Sequence, residues 1–337
     1  MTRLTQAIVN LTRLTSLSTR VLADTTGATA FVQRPPSYTV PAFYGSVGVA
    51  GYFGGGYAPS FTSRIDKITF PADTKTTLSA TLSSARSELS AMANSGVAGY
   101  FGGGNDGANI SGIDKITFPA DTKTTLSATL STARQNPAGM ANSGVAGYFG
   151  GGYDSANISG IDKITFPADT KTTLSATLTT ARKTAAGMAN SGVAGYFGGG
   201  SDSVRLSGID KITFPADTKT TLSATLTAAV SFAAGMANSA VAGYFGGGSS
   251  TTVNVNTIDK VSFPADTKTT LSATLTAGRS ELGGMANSGV AGYFGGGDPA
   301  TDIIDKITFP AETKTTLSAT ITANVTSITG MANSGLL

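Results

Sequence analysis

The side chains of this sequence that could do acid–base or metal chemistry are mostly carboxylates, and most of these recur in repeated motifs such as Ile-Asp-Lys. The chain has no His and no Cys, so the commonest general base, the commonest metal ligand and the thiolate nucleophile are all missing. Adjacent residues of a strand point to opposite faces of a sheet, which places Asp114 and Lys115 against different neighbours. We therefore expect structural Asp–Lys contacts between repeats, because a catalytic centre does not need the same two groups six times over.

Two further patterns could hold ligands, but neither has the spacing that its chemistry needs. Asp298 with Asp302, and Asn105 with Asp106, offer oxygen atoms for a hard cation, yet their spacing matches no EF-hand loop. Gly-Gly-Gly could cradle a phosphate, but no Lys-Ser/Thr pair and no helical pattern follows it. We expect the backbone at these glycines to pack closely beside the next repeat unit, and we predict no metal and no cofactor.

Charge and hydropathy narrow the class of protein further. Residues 1–45 carry four arginines and one aspartate, which accounts for the whole formal charge of +3 and leaves the rest neutral. A neutral body lacks the basic stripe that a nucleic-acid-binding protein needs. No segment reaches the roughly 18 apolar residues of a membrane span, and no uninterrupted apolar stretch marks a signal peptide. The sequence thus predicts a soluble, unprocessed chain.

The elements that must position these residues come from an internal repeat. Gly-Tyr-Phe-Gly-Gly-Gly begins at six positions spaced by 48 or 49 residues: Gly51, Gly99, Gly147, Gly195, Gly243 and Gly292. One unit reads as four short strands rich in Thr, Val, Ile and aromatic residues, at Met140–Ser143, Val145–Phe149, Ile161–Phe166 and Thr172–Leu178. Four strands in a unit of this length are typical of a β-propeller blade. The prediction is an all-β, six-bladed β-propeller over residues 46–337.

The residues of the unit resemble a known repeat. Tyr148-Phe149-Gly150-Gly151 at the end of the second strand, Asp162 in the third and Arg182 after the fourth resemble the kelch repeat. The resemblance covers residues 42–337, and the chain departs from it by lacking Trp and by having Ile-Asp where Tyr-Asp is common. The repeated Gly-Tyr-Phe-Gly-Gly-Gly and Ile-Asp-Lys-Ile-Thr-Phe are also similar to repeats of phage virion proteins, cyanophage ones especially. This resemblance implies a structural protein of a virus particle.

The ends of the repeat are offset in a way that bears on ring closure. Met-Ala-Asn-Ser, the first strand of a unit, does not precede the first Gly-Tyr-Phe, and its last copy begins at Met331 with no second strand after it. We therefore expect residues 331–337 to supply the first strand of blade 1, since this arrangement joins the chain ends in one sheet. Residues 42–46 are the alternative source of that strand.

The six copies differ from one another mainly in two kinds of connection. The turns between the first two strands and between the last two barely change, whereas the other connections vary. In an up-and-down blade the varying connections share one face of the disc, which we call the variable face, and the constant turns share the uniform face. Variable loops on a symmetric scaffold are typical of a binding surface. The candidate binding residues are Tyr57, Phe61, Arg64, Arg86, Asn105, Asp106, Arg134, Tyr153, Asp154, Arg182, Lys183, Arg205, Phe232 and Arg279. Unselected loop drift is the competing explanation, and a symmetric partner on the uniform face is another.

Residues 1–45 have a different pattern from the repeats. Apolar residues at helical spacing, Leu4, Ile8, Leu11 and Leu14 among them, predict an amphipathic helix, and a Pro-rich extended linker follows it. This segment either anchors the chain in a larger assembly or folds back on the propeller.

These expectations combine into one leading hypothesis and two alternatives. The first is a non-enzymatic phage virion protein, similar to a tail fibre or displayed on the particle surface and assembled in the host cytoplasm. Its partners would be other virion proteins through residues 1–45, further copies of itself, and a host-surface polysaccharide or a neighbouring subunit. The alternatives are a glycan-active enzyme, since sialidases also use propellers, and an intracellular interaction adaptor of the kelch type.

Overall fold

The computed structural model describes residues 49–334, which form six four-stranded antiparallel sheets around a central channel. The predicted six-bladed β-propeller is therefore confirmed. From the channel outward, the first three blades are Thr329–Asn333, Ala50–Gly54, Ile65–Thr69 and Thr74–Thr77; Ser90–Asn94, Ala98–Gly102, Ile113–Thr117 and Lys123–Thr125; and Ala138–Asn142, Ala146–Gly150, Ile161–Thr165 and Thr170–Thr173. Blades 4 to 6 are Ala186–Asn190, Ala194–Gly198, Ile209–Thr213 and Thr218–Thr221; Ala234–Asn238, Ala242–Gly246, Ile258–Ser262 and Thr267–Thr270; and Gly283–Asn287, Ala291–Gly295, Ile304–Thr308 and Lys314–Thr316. A short hairpin with two residues in each strand, Tyr153–Asp154 and Ala156–Asn157, lies in one loop of blade 3.

The outermost strand differs most from its prediction. In blade 3 it covers Thr170–Thr173, not Thr172–Leu178. The chain leaves the sheet after Thr173 because Leu178 turns inward, where it is 2% exposed and packs with Phe197 and Ile212 of blade 4. Burial of a leucine between two blades outweighs the continuation of an exposed strand.

Aromatic and glycine residues of the repeat hold neighbouring blades together. Phe197 of blade 4 packs against Gly150 of blade 3 so closely that a Cβ atom on Gly150 would lie 2.7 Å from the phenyl ring. Gly150 is the first glycine of its Gly-Gly-Gly, and it confirms the predicted close backbone packing. The next two glycines have φ of +67° and +109°, a region that favours glycine.

A polar contact repeats between all neighbouring blades. Lys163 Nζ lies 2.6 Å from Asp217 Oδ2 of the next blade, and the Tyr148 hydroxyl donates to Asp217 Oδ1 at 2.8 Å. The Tyr148 ring also stacks on Phe214, with 5.2 Å between centroids. The lysine of Ile-Asp-Lys thus bridges blades as expected, but its acceptor is the carboxylate of the Phe-Pro-Ala-Asp/Glu turn. Equivalent lysine–carboxylate pairs lie at each of the five remaining blade boundaries and complete the ring.

These tyrosines give the fold an alkaline limit. Burial, and then the hydrogen bond to Asp217, raise the pKa of Tyr148 far above its ordinary value of 10.0. The same shift holds at Tyr52, Tyr100, Tyr148, Tyr196, Tyr244 and Tyr293. Because the pKa is higher in the folded than in the unfolded chain, this stabilisation is complete below about pH 10 and is lost as the pH rises above it. Thermal melts from about pH 8 to 12 should show stability falling above pH 10.

Tyrosine absorbance provides the direct readout for this prediction, and Tyr57 provides its control. Tyr57 is 46% exposed, so Tyr57→Phe should leave the alkaline loss of stability unchanged, whereas Tyr148→Phe should reduce it. Ionisation of all the described tyrosines near pH 10 in a still-folded protein would contradict the prediction.

The innermost strand of blade 1 comes from the C-terminal end of the repeat region. Thr329–Asn333 pairs antiparallel with Ala50–Gly54, with Met331 opposite Tyr52. This strand neighbours the innermost strands of blades 2 and 6, so the ring of inner strands is closed. The alternative strand at 42–46 lies outside the described residues, as do residues 335–337.

Candidate binding face

The varying connections meet at one end of the channel. Short β-bridges join the connection that enters each blade to the loop between its second and third strands, as in Gln135 with Tyr153 and Lys183 with Ser201. The two sets of variable loops therefore form one layer on the variable face. This layer is where the copies carry different side chains.

Four of the candidate binding residues are not on this surface. Arg86, Arg134, Arg182 and Arg279 are at most 3% exposed, so the prediction that they lie on the binding face is wrong. Arg134 shows the reason, because its Nη2 lies 2.7 Å from Asp162 Oδ2 and donates to the Phe149 carbonyl at 3.2 Å. The aspartate of Ile-Asp-Lys is buried, and the arginine supplies its counter-charge.

The buried carboxylate of Asp210 is held in its charged form. Burial alone would raise the pKa of Asp210, but hydrogen bonds from the Thr179 side chain and backbone, with the charge of Arg182, outweigh it and keep that pKa low. Burial lowers the pKa of Arg182, and Asp210 opposes that effect. These pairs are part of the scaffold, not of a surface site.

The remaining candidates fall into separate groups on the variable face. In blade 1, the Tyr57 and Phe61 rings meet edge to face with centroids 5.6 Å apart, and Arg64 lies half-buried beside them in sequence. In blades 2 and 3, Asn105 and Tyr153 are half-buried within loop contacts. The two acidic candidates of these loops are the exposed Asp106 and the half-buried Asp154.

A third group is brought together in a groove between blades 4 and 5. Three predicted residues, Lys183, Arg205 and Phe232, line a cavity of about 380 Å³. Sequence reasoning missed the hydroxyl groups and the valine that complete it, which belong to Thr184, Ser201, Ser203, Val204, Ser231 and Thr251. We call this cavity the blade 4–5 groove. Its volume falls within the range of small-ligand sites.

The channel mouth on the variable face was also missed by sequence reasoning. One residue from each blade surrounds it, with φ between 51° and 59°: Glu88, Asn136, Thr184, Phe232, Glu281 and Ser327. Backbone N–H groups donate to the equivalent carbonyl of the preceding blade, for example Asn136 to Glu88 at 2.7 Å. The only sequence signal is that this position differs between most copies.

Two glutamates, Glu88 and Glu281, lie at the channel mouth. Burial, and then the like charge of Glu281, raise the pKa of Glu88, and Lys183 partly opposes this. The adjoining cavity has a volume of about 110 Å³. The mouth is therefore acidic on one side and adjoins the basic blade 4–5 groove through Thr184 and Phe232.

The uniform face is built from small residues in repeated rings. Its central cavity of about 510 Å³ is lined largely by Ser, Ala and Asn, and Ser95, Ser143, Ser191 and Ser239 occupy equivalent positions. Backbone N–H groups donate to the serine hydroxyl of the next blade, as Ser143 does to Ser191 at 2.9 Å. Valines in a ring around this cavity are 43–50% exposed: Val97, Val145, Val193, Val241 and Val290.

No protein-family model matches the sequence, and no curated protein matches it either. Within residues 49–334, no helix is long and apolar enough to cross a membrane. Across the same part of the chain, no group of three or more carboxylates is placed to hold a metal ion.

Proposed function

We propose that this chain is a non-enzymatic binding platform whose variable face holds a ligand while the rest of the propeller serves as scaffold. One observation carries the proposal: residues that join the blades repeat with almost no change, whereas the loops that differ form a single layer at one end of the channel. A scaffold that varies only where its loops meet is suited to recognition.

The hydrogen bonds of the repeated aspartates support a structural role for these side chains. Asp162 accepts hydrogen bonds from the Ser131 backbone and hydroxyl, both at 2.9 Å, and from Arg134 and Thr173. A carboxylate whose oxygens are occupied in this way is poorly suited to proton transfer with a substrate. The equivalent aspartates of the other blades accept corresponding hydroxyl groups.

The proposed setting is a virus particle. It depends on the similarity of the repeats to phage virion repeats and on the separate, basic segment at residues 1–45. In this proposal residues 1–45, with Leu4, Ile8, Leu11 and Leu14, attach the chain to other virion proteins, and the propeller is displayed as a homo-oligomer. Those residues lie outside the described part of the chain, so their role stays a prediction. The displayed face would bind a host-surface polysaccharide or a neighbouring subunit.

Truncation tests the proposed anchor. Deleting residues 1–40 should abolish incorporation into particles, because it removes the apolar segment and leaves every described contact of residues 49–334 in place. Incorporation is measured on purified particles by immunoblotting, and circular dichroism with thermal melting checks that the truncated propeller is folded. The full-length chain is the control and should be incorporated normally. Normal incorporation of the truncated chain would overturn the virion-anchor proposal.

A second function is favoured by one observation, the raised pKa of Glu88 beside Glu281 at the channel mouth. A carboxyl group of raised pKa near a second carboxylate is an arrangement that glycoside hydrolases use. If the protein cleaves polysaccharide, and if Glu88→Gln and Glu281→Gln each abolish this cleavage, the protein is an enzyme and the binding-platform proposal is wrong.

A further inference from the structure

The blade 4–5 groove lies at a boundary that lacks a contact made between loops at three other blade boundaries. In blades 2, 3 and 5 an asparagine of the variable loop donates its amide to a backbone carbonyl in the loop of the next blade. These contacts are Asn109 to Tyr153 at 3.2 Å, Asn157 to Asp202 at 2.6 Å and Asn254 to Asp298 at 2.9 Å. Blade 4 has Arg205 at this position, and its loop does not make this contact.

Arg205 leaves its charge available to a ligand. Its Nη2 donates to the Ser249 hydroxyl at 3.2 Å, and its Nε is buried without a hydrogen-bond partner. Among residues 49–334, no carboxylate lies within ion-pair distance of Arg205 or of Lys183. Lys183 Nζ instead sits 4.4 Å from the centre of the Tyr153 ring. The charge of Glu88 acts on Lys183, but neither cation has a carboxylate at ion-pair distance. Two such cations lining one groove favour an anionic ligand.

The nearest acidic residue of the same loop is already engaged. The Asp202 carboxylate accepts the backbone N–H groups of Val204, at 2.8 Å, and of Ser203. These hydrogen bonds lower the pKa of Asp202 and fix its carboxylate within its own turn. Asp202 therefore shapes the loop that carries Arg205 and does not neutralise it.

The other residues that line the groove could contact uncharged parts of a ligand. Phe232 is the only aromatic residue among the six channel-mouth positions, and it is half-buried at the edge of the groove. Hydroxyl groups of Thr184, Ser201, Ser203 and Ser231 line the remaining walls. An aromatic ring offers a flat apolar surface, and hydroxyl groups can both donate and accept hydrogen bonds. This combination matches a sugar ring, which has an apolar face and a rim of hydroxyls.

We infer that the blade 4–5 groove binds a saccharide that carries a carboxylate. Arg205 and Lys183 hold the carboxylate, Phe232 packs against the sugar ring, and the serine and threonine hydroxyls bond to sugar hydroxyls. An acidic peptide is the other anionic class, but peptides are usually held along a free strand edge or in an apolar groove. None of the residues that line this groove belongs to a strand of the six sheets, and most of them carry a hydroxyl group. The inference rests on the proposed binding function and assigns it a site and a ligand class.

Substitutions taken from other blades test the site without disturbing the fold. Arg205→Asn introduces the residue that blades 2, 3 and 5 have at this position, and Lys183→Gln introduces the residue of blade 3, Gln135. Phe232→Asn likewise copies Asn136 of blade 3. Arg64→Gln is the matched control, because it removes an arginine of the variable face that does not line the groove.

The experiment is an NMR titration of the full chain with glucuronic acid, galacturonic acid and N-acetylneuraminic acid, with glucose and galactose as neutral probes. At least one acid should shift the resonances of Arg205 and Phe232, and its neutral counterpart should bind more weakly. Loss of one charged hydrogen bond predicts that Arg205→Asn weakens binding at least about tenfold. Lys183→Gln and Phe232→Asn should also weaken binding, and Arg64→Gln should leave it unchanged.

The outcomes separate this inference from the general proposal. Absence of any shift with all three acids, shifts confined to other loops, or equal binding by Arg205→Asn would each overturn the groove assignment. Binding of a tetraglutamate peptide at the groove without binding of the sugars would also overturn it, in favour of an acidic peptide. The binding platform itself would survive those results if another part of the variable face held a ligand, and it would fail if intact polysaccharide and particle proteins bound nowhere on that face.

Discussion

A chain that lacks residues 331–337 should melt more than about 10 °C below the intact protein, because it loses a packed side chain and several backbone hydrogen bonds at once. The deletion removes most of the innermost strand of blade 1, which pairs with Ala50–Gly54. Met331 is 3% exposed and packs in one cluster with Tyr52 of blade 1 and Phe101 of blade 2. Asn333 accepts the Gly96 N–H at 2.7 Å, so the same strand also ties blade 1 to blade 2.

The control is a chain that ends at Ser334, which keeps every described contact of the strand. It should melt like the intact protein. The longer deletion also exposes the edge of Ala50–Gly54, whose residues are buried throughout, and such an edge pairs readily with other chains. Size-exclusion chromatography should therefore show association of the shortened chain below its melting temperature. An unchanged melting temperature would mean that the ring does not depend on this strand for closure.

The fold could be predicted from sequence because the repeat supplies its evidence six times. Each unit alternates short apolar segments with turns at a fixed period, and only a few architectures accept four strands per unit. Strand ends were less predictable. Leu178 lies in a Thr-rich segment that suits a strand, and only the neighbouring blade, through Phe197 and Ile212, makes its inward turn favourable.

The four buried arginines were predicted on the surface because their burial depends on contacts with another part of the chain. They lie in connections that vary between copies, and an arginine in a loop is usually exposed. A comparison of the six copies indicates that this position is buried. Blades 5 and 1 have Val230 and Val325 where the other blades have arginine. An alternation of arginine with valine indicates an interior position, since a valine gains little on a surface. The two valines are 4% and 2% exposed.

The groove could be predicted only in part. Lys183, Arg205 and Phe232 stand out because their equivalents in other blades have different chemistry. They meet where Arg205 replaces the asparagine of blades 2, 3 and 5, beside a loop in blade 5 that is one residue longer than in blade 4. Such spacing between loops of different blades is set by the ring and not by the local sequence.

Replacing Asp162 should lower the free energy of unfolding more than replacing its buried partner Arg134. Asp162→Asn should lower the free energy of unfolding by about 3–5 kcal/mol, because it leaves the Arg134 charge buried without its partner. The Asp162 side chain is fully buried, and Arg134 Nε already lacks a hydrogen-bond partner. The other acceptor of the guanidinium, the Phe149 carbonyl at 3.2 Å, is neutral and cannot compensate for the lost charge.

Arg134→Val should cost less than about half as much as Asp162→Asn, because the aspartate keeps its other donors when the arginine is gone. Blades 1 and 5 show this state, where Asp66 accepts the Thr77 and Thr322 hydroxyls and Asp259 accepts those of Thr227 and Thr270, with valine in place of arginine. Urea unfolding of both variants gives the comparison. An equal loss in the two would show that Asp162 depends on the arginine for its burial, and that the valine blades are stabilised in another way.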